Sequence, residues 1–127
     1  MTLEELLHKD ITDGIISAFY KVYSTLGYGF LEQVYENAMF LELVKAGYSV
    51  ERQKSIRVFY EGEQVGYYIA DMIVNDAVII EIKAMEGLVV QHEYQLINYL
   101  RATDIEVGLL INFGKKPQFK RKIYSNQ

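Results

Sequence analysis

The chain contains no cysteine, which excludes a disulfide framework and a thiolate zinc site and leaves a reducing compartment open to it. Proline is nearly as scarce. The one residue, Pro117, falls after the last expected strand, where it breaks nothing. No apolar run approaches the roughly 20 residues that a membrane helix needs. The opening Met1-Thr2-Leu3-Glu4-Glu5 is acidic where a signal peptide is basic, so the sequence predicts a soluble, cytoplasmic protein with no membrane partner. Internal repeats, low-complexity stretches and linkers are absent as well. A length of 127 residues, half of them apolar, fits one domain spanning 1–127 with a real core.

Excess positive charge is also lacking. The net charge of −4 argues against a general polyanion binder, yet it is unevenly spread. It is −9 over the first 114 residues and +5 over residues 115–127, which hold Lys115, Lys116, Lys120, Arg121 and Lys122 and no acid. Two readings of this basic C-terminal tail stand side by side: a solvated terminus, and a surface for a phosphate backbone.

Ile15, Phe19, Val22 and Leu26 recur at helical spacing after start signals at Asp10 to Asp13, and Gly27-Tyr28-Gly29 supplies a stop. A second helix begins near Leu31, carries Val34, Ala38, Leu41 and Val44 on one face, and ends at Gly47. From Tyr48 the period changes to two. A strand from Ser55 to Tyr60, a turn at Glu61-Gly62-Glu63 and a strand from Val65 to Val74 form a hairpin. A third strand, Val78 to Lys83, is followed by a helix from about Val90 to Arg101 and a last strand, Val107 to Phe113. The order is ααβββαβ: an α/β domain with a small mixed sheet flanked by helices.

The third strand carries charge where charge should not be. Glu81 and Lys83 interrupt the apolar run from Val78 to Ala84, and burying an ion without a partner is costly. Parity tests where Asp71 lies. A two-residue turn at Asn75-Asp76 opposes Asp71 to Ile80 and leaves both strand faces mixed. A three-residue loop, Asn75-Asp76-Ala77, opposes Asp71 to Glu81 and sorts the strands: Met72, Val74, Val78, Ile80 and Ile82 on one side, Asp71, Ile73, Ile79, Glu81 and Lys83 on the other. Directly opposed residues have Cβ atoms roughly 4.5–5.5 Å apart, so the two carboxylates repel unless a cation or a proton stands between them. A divalent metal is the economical partner. An exposed Glu81–Lys83 pair on an edge strand is the plainer alternative, and it weakens once Asp71 joins the group.

An Asp followed ten residues later by Glu-x-Lys on adjacent strands resembles the core of the PD-(D/E)xK phosphodiesterase superfamily, whose restriction-endonuclease-like fold also runs αβββαβ. The octet Gly29-Phe30-Leu31-Glu32-Gln33-Val34-Tyr35-Glu36 is similar to the signature of one branch, the small GxxExxY proteins. The likeness extends to Ala70-Asp71, Glu81-Ile82-Lys83-Ala84, His92 with Gln95-Leu96 and Tyr99-Leu100, Val107 through Gly114, and Lys120-Arg121-Lys122-Ile123. Ala70 stands where the superfamily has proline.

The resemblance implies metal carboxylates at Asp71 and Glu81, a catalytic lysine at Lys83, a polar helix residue at Gln95 and an acid from the helix pair at Glu32. It also implies that the Ile82 carbonyl adds a backbone oxygen. Mg²⁺ or Mn²⁺ is the implied cofactor, since Mg²⁺ is commonly held by one or two carboxylates together with waters and substrate phosphate. Nucleic acid is the implied substrate, DNA ahead of RNA, and phosphodiester hydrolysis the implied reaction. The rival reading is a nuclease-like module that binds nucleic acid or a protein partner without cutting. So small a domain leaves little surface for enclosing a duplex, so a homodimer or a host complex is expected if DNA is cut. Glu36 reads as an acid at a helix start, His92 as a capping or polar-face residue, and Tyr35 and Tyr99 as core or rim aromatics.

Overall fold

The computed structural model describes residues 2–125; Met1 and the last two residues of the expected tail, Asn126 and Gln127, lie outside it. After one helical turn, α1 (Leu3–Leu6), come α2 (Lys9–Leu26), α3 (Glu32–Lys45), β1 (Val50–Tyr60), β2 (Glu63–Val74), β3 (Val78–Lys83), α4 (Val90–Arg101), β4 (Val107–Phe113) and β5 (Pro117–Ile123). The strands form one sheet in sequence order. It is mixed: β3 and β4 are parallel, joined by α4 as a crossover, and the other neighbours are antiparallel.

Three layers result. Ile15, Phe19 and Val22 of α2 and Tyr35, Met39 and Leu43 of α3 pack on the face formed by Met72, Val74, Val78, Ile80, Ile82, Leu109 and Ile111. Leu96, Tyr99 and Leu100 of α4 cover Ile56, Ala70, Ile73, Ile79 and Leu110 on the other face. Gly108 sets the approach of α4, since a Cβ there would lie 2.7 Å from Leu96 Cδ1. The β2–β3 register pairs Val74 with Val78 and Met72 with Ile80, so the loop has three residues and the strand faces sort as parity requires. Asn75 and Asp76 both have positive φ, 53° and 52°, a conformation that Asn and Asp tolerate better than most residues.

Because β3 pairs only with Met72 to Val74, the hairpin from Ser55 to Ile69 runs past the rest of the sheet as a two-stranded arm. At its other end the first strand is longer than its sequence pattern suggests, starting at Val50 rather than Ser55 and pairing there with Ala70 to Val74. The arm turns at Glu61 and Gly62, with φ of 50° and 81°, the pair of positive angles that suits the right-handed twist of a hairpin.

Two expectations are corrected. The buried stripe of α3 is Tyr35, Glu36, Met39 and Leu43, while Val34, Leu41 and Val44 are exposed. This helix is apolar on several sides, so spacing alone selects no stripe. Tyr35 selects it: its ring stacks on Phe113 at 4.2 Å, and its hydroxyl donates to the Gly27 carbonyl at 2.8 Å and accepts from the Phe30 N–H at 3.2 Å.

The basic segment is not a free tail. Pro117 opens β5, an edge strand whose first position needs no donated ladder bond. Register with β4 sets Lys120 and Lys122 opposite Leu110 and Gly108, on the α4 face, and Arg121 opposite Leu109, on the α2 face. Lys122 pairs with Glu93 at 2.6 Å, Arg121 donates to the Leu7 carbonyl at 2.5 Å, and Lys115 lies 3.9 Å from Glu86. Strand alternation thus divides the cations between two faces and commits several of them to the protein's own acids and carbonyls. Lysine on an edge strand also discourages pairing with another sheet. No helix among the described residues is long and apolar enough to cross a membrane.

Candidate active site

The β2–β3 ladder stops at Met72 and Ile80, and one step further the opposed residues are Asp71 and Glu81. There, side chains replace the backbone bonds. The Asp71 N–H donates to Glu81 Oε1 at 3.0 Å, and the Ile82 N–H donates to Asp71 Oδ2 at 2.7 Å. Each carboxylate wedges into the ladder of the other strand, and the strands fork. Ala70 and Met72 mark the same event: two residues apart in a strand they should share a face, yet Ala70 packs under α4 and Met72 under α2 and α3. On the far side of β2, Gln53 falls opposite Asp71 between the pairs Arg52–Met72 and Lys54–Ala70 and has φ of 50°. Backbone strain of this kind gathers at functional sites.

Burial and crowding dominate the electrostatics. Glu81 is only 6% exposed; burial first, and then the charge of Asp71, push its carboxyl up to about 8. Asp71 is also raised, chiefly by burial and then by the charges of Glu36 and Glu32, against the lowering effect of the Ile82 N–H and of Lys83. Lys83 acts on both acids as a charge and, among the described residues, forms no salt bridge. No buried side-chain N or O atom among the described residues lacks a hydrogen-bond partner. The second oxygen of each carboxylate, which takes no hydrogen bond, therefore opens on the fork.

Both helical layers reach this point. From α4, Gln95 Nε2 donates to the Tyr99 hydroxyl at 2.8 Å, and burial together with the charges of Glu81 and Asp71 pushes that phenol up to about 12. From α3, Glu32 is exposed and affects both acids through its charge alone. Among the described residues no group of three or more His, Asp and Glu side chains is placed to hold a metal ion, so Glu32 does not converge with Asp71 and Glu81. His92 accepts the Val89 N–H at its Nδ1, 3.4 Å away, at the start of α4. It is a cap, far from the role of a ligand. Of the basic residues of β5, Lys122 and Arg121 are engaged with Glu93 and the Leu7 carbonyl, while Lys120 is exposed opposite Leu110, the β4 residue that pairs with Glu81.

Sequence reasoning passed over a second buried polar group. Glu36 is 5% exposed and accepts from Arg52 Nε and Nη2 at 3.1 and 2.6 Å and from Gln53 Nε2, which ties α3 to the β1 segment that faces Asp71. Asn112, fully buried in β4 and paired with Lys83, accepts the Met85 N–H and donates to the Met85 carbonyl, both at 3.0 Å. It clamps the loop that leaves Lys83. The signal that exposes Glu81, a polar residue inside an apolar strand, is present for Asn112 too.

Two carboxylates, each keeping an oxygen free and none facing a bonded cation, fit a hard divalent ion, which takes one or two protein carboxylates and fills its shell with water. The crystal structure of SSO0001 superposes with a TM-score of 0.58 at 19% identity, over 98% of this chain and 63% of that one, so the chain spans less than two thirds of that protein and the likeness is one of fold. No curated protein matches. The profile of the PD-(D/E)XK nuclease superfamily matches residues 9–122, from the start of α2 into β5, and the chain belongs to that superfamily.

Proposed function

We propose that the protein is a divalent-metal-dependent phosphodiester hydrolase acting on nucleic acid, DNA ahead of RNA. The observation that carries this reading is the pairing of half-buried Asp71 with buried Glu81 at a strand fork, with Lys83 beside them and free of any salt bridge among the described residues. In this reading Asp71, Glu81 and the Ile82 carbonyl hold Mg²⁺ or Mn²⁺. Such an ion, when bound, polarises a phosphoryl oxygen and makes coordinated water more acidic. Lys83 orients the attacking water and offsets charge that builds on the phosphorus oxygens. Gln95, held by its bond to Tyr99, presents its amide to substrate or water. Glu32, exposed at the first turn of α3, serves the ion's water shell.

The octet Gly29 to Glu36 supports placing the chain in the GxxExxY branch, and each signature residue has a distinct task. Gly29 has φ of 108°, a region closed to most side chains. Glu32 faces solvent near the acids, and Tyr35 pins the 27–30 loop to the core.

The test is cleavage of single-stranded and duplex DNA and RNA with Mg²⁺, Mn²⁺ or chelator, beside Asp71→Asn and Lys83→Ala. Hydrolysis that needs the metal and both side chains is expected. The rival reading is a non-catalytic module on the same fold. It predicts nucleic-acid or protein binding that Lys83→Ala leaves intact, with no cleavage under any metal.

A further inference from the structure

One groove escapes the acidity of the body. It lies between α4 and the hairpin arm, as two hollows of about 410 and 280 Å³ that share Tyr68 and Asn98. Together they fall within the range of about 300–1,000 Å³ typical of ligand pockets. Among the described residues no Asp or Glu lines either hollow, although the first 114 residues carry −9. Tyr68 and Tyr94, 45% and 59% exposed, offer ring faces; Gln91, Gln95 and Asn98 offer amides; Arg101 is the single cation among the described residues that line it. Tyr68 leans on Tyr99 with ring centroids 5.6 Å apart, and the Tyr99 hydroxyl is the one bonded to Gln95, so the groove ends at the fork.

We propose that this groove seats unpaired nucleotides of the strand being cut, a reading that rests on the hydrolase assignment and names its substrate as single-stranded or locally melted nucleic acid. Aromatic faces and side-chain amides recognise bases that are out of a helix: the rings stack on exposed base faces and the amides meet Watson–Crick edges, both of which a duplex hides. A duplex-binding surface would instead present an array of cations, each neutralising a phosphate. Here one arginine lines the groove, itself resting on the Tyr124 ring at 5.7 Å, while the cations of β5 are spread over two faces of the opposite sheet edge. Tyr68 and Tyr94 stack the bases next to the scissile phosphate, Gln91 and Asn98 hydrogen-bond their edges, and Arg101 takes a phosphate.

The experiment uses the whole protein, an oligonucleotide carrying 2-aminopurine in single-stranded and blunt-duplex form, and the variants Tyr94→Ala and Tyr94→Phe. Tyr94 is exposed enough that neither change threatens the fold. Binding is read without divalent metal, by anisotropy and by quenching of the stacked 2-aminopurine, and cleavage is read in parallel with Mg²⁺. Expected are preferential binding and cutting of the single strand, a loss of about fivefold or more in its affinity in Tyr94→Ala together with loss of quenching, and recovery of both in Tyr94→Phe. Cleavage of blunt duplex as fast as single strand, with Tyr94→Ala silent, overturns the groove assignment and leaves the hydrolase standing. Absence of binding and cleavage with either form overturns both.

Discussion

Replacing Glu81 with glutamine is expected to stabilise the metal-free protein at alkaline pH. Burial and the neighbouring Asp71 raise the Glu81 carboxyl from 4.5 to about 8, so in the folded protein it holds its proton where the unfolded chain has released it. Stability rises with pH only where the unfolded state binds more protons; here the folded state does. The contribution is therefore fully present below 4.5, declines as pH rises, and is gone above about 8. At 1.36 kcal/mol per tenfold step, the metal-free wild type loses about 4–5 kcal/mol across that window, and Asp71, raised for the same reason, adds in the same direction. The amide introduced by Glu81→Gln would keep an oxygen to accept the Asp71 N–H, now bonded at 3.0 Å, and carries no titrating proton. A domain of this size shifts its midpoint by about 4 °C per kcal/mol. Thermal unfolding in chelator should find the two proteins alike near pH 5 and the variant higher by on the order of 15–20 °C at pH 8.5. Added Mg²⁺ should then reverse the order. It binds the folded wild type alone and replaces protons, so its stabilisation grows from pH 6 to pH 8. A difference that does not vary with pH, or a variant less stable than wild type at pH 8.5, would refute the account of the site.

Tyr35→Phe should cost about 1–2 kcal/mol in urea unfolding, because the hydroxyl's bonds to Gly27 and Phe30 are lost while the ring remains stacked on Phe113. Glu36→Ala should cost about 3 kcal/mol, since Arg52, whose side chain is 30% exposed, keeps its charge without the buried partner; chemical denaturation measures it. Asn112→Ala leaves both polar groups of Met85 without their partner and should cost about 2–3 kcal/mol. Cleavage should fall further than the folded fraction, measured at a temperature where the variant is intact. Gly108→Ala drives a methyl into Leu96 and should cost about 1–3 kcal/mol, seen as a lowered melting temperature.

Much of the fold was legible because two periods dominate it. The β3 run, the α4 boundaries and the β4 run follow from apolar spacing, and the three-residue loop at Asn75 to Ala77 follows from the parity of five apolar residues that had to share a face. Two things were not legible, each for its own reason. The α3 stripe was decided by tertiary partners, above all Phe113 beneath Tyr35, in a helix with apolar residues on several sides. The last strand was hidden by its composition: five cations in thirteen residues look like a solvated tail, and only pairing with β4 reveals that alternation sends Lys120 and Lys122 one way and Phe119 and Arg121 the other. At the site, the Asp71–Glu81 opposition could be derived, but the Glu36–Arg52–Gln53 group could not, since it joins a helix to a strand through a residue whose backbone leaves the strand conformation.

The fork imposes opposed demands on its two acids. Asp71 and Glu81 each accept a backbone N–H in place of a ladder bond, a role that the ionised carboxylate fills best, whereas burial and proximity favour the protonated form. Lys83 eases the conflict through space without bonding to either acid. An apolar pair at these positions would leave the two N–H groups unsatisfied, and closing the ladder over them would erase the concavity. The strand separation therefore persists only with acids present, and acids in this position are comfortable only with a proton or a divalent cation between them. That reciprocal dependence links the architecture of the sheet to the chemistry of the site: the irregularity that opens the sheet is made by the same two carboxylates that the opening exists to present.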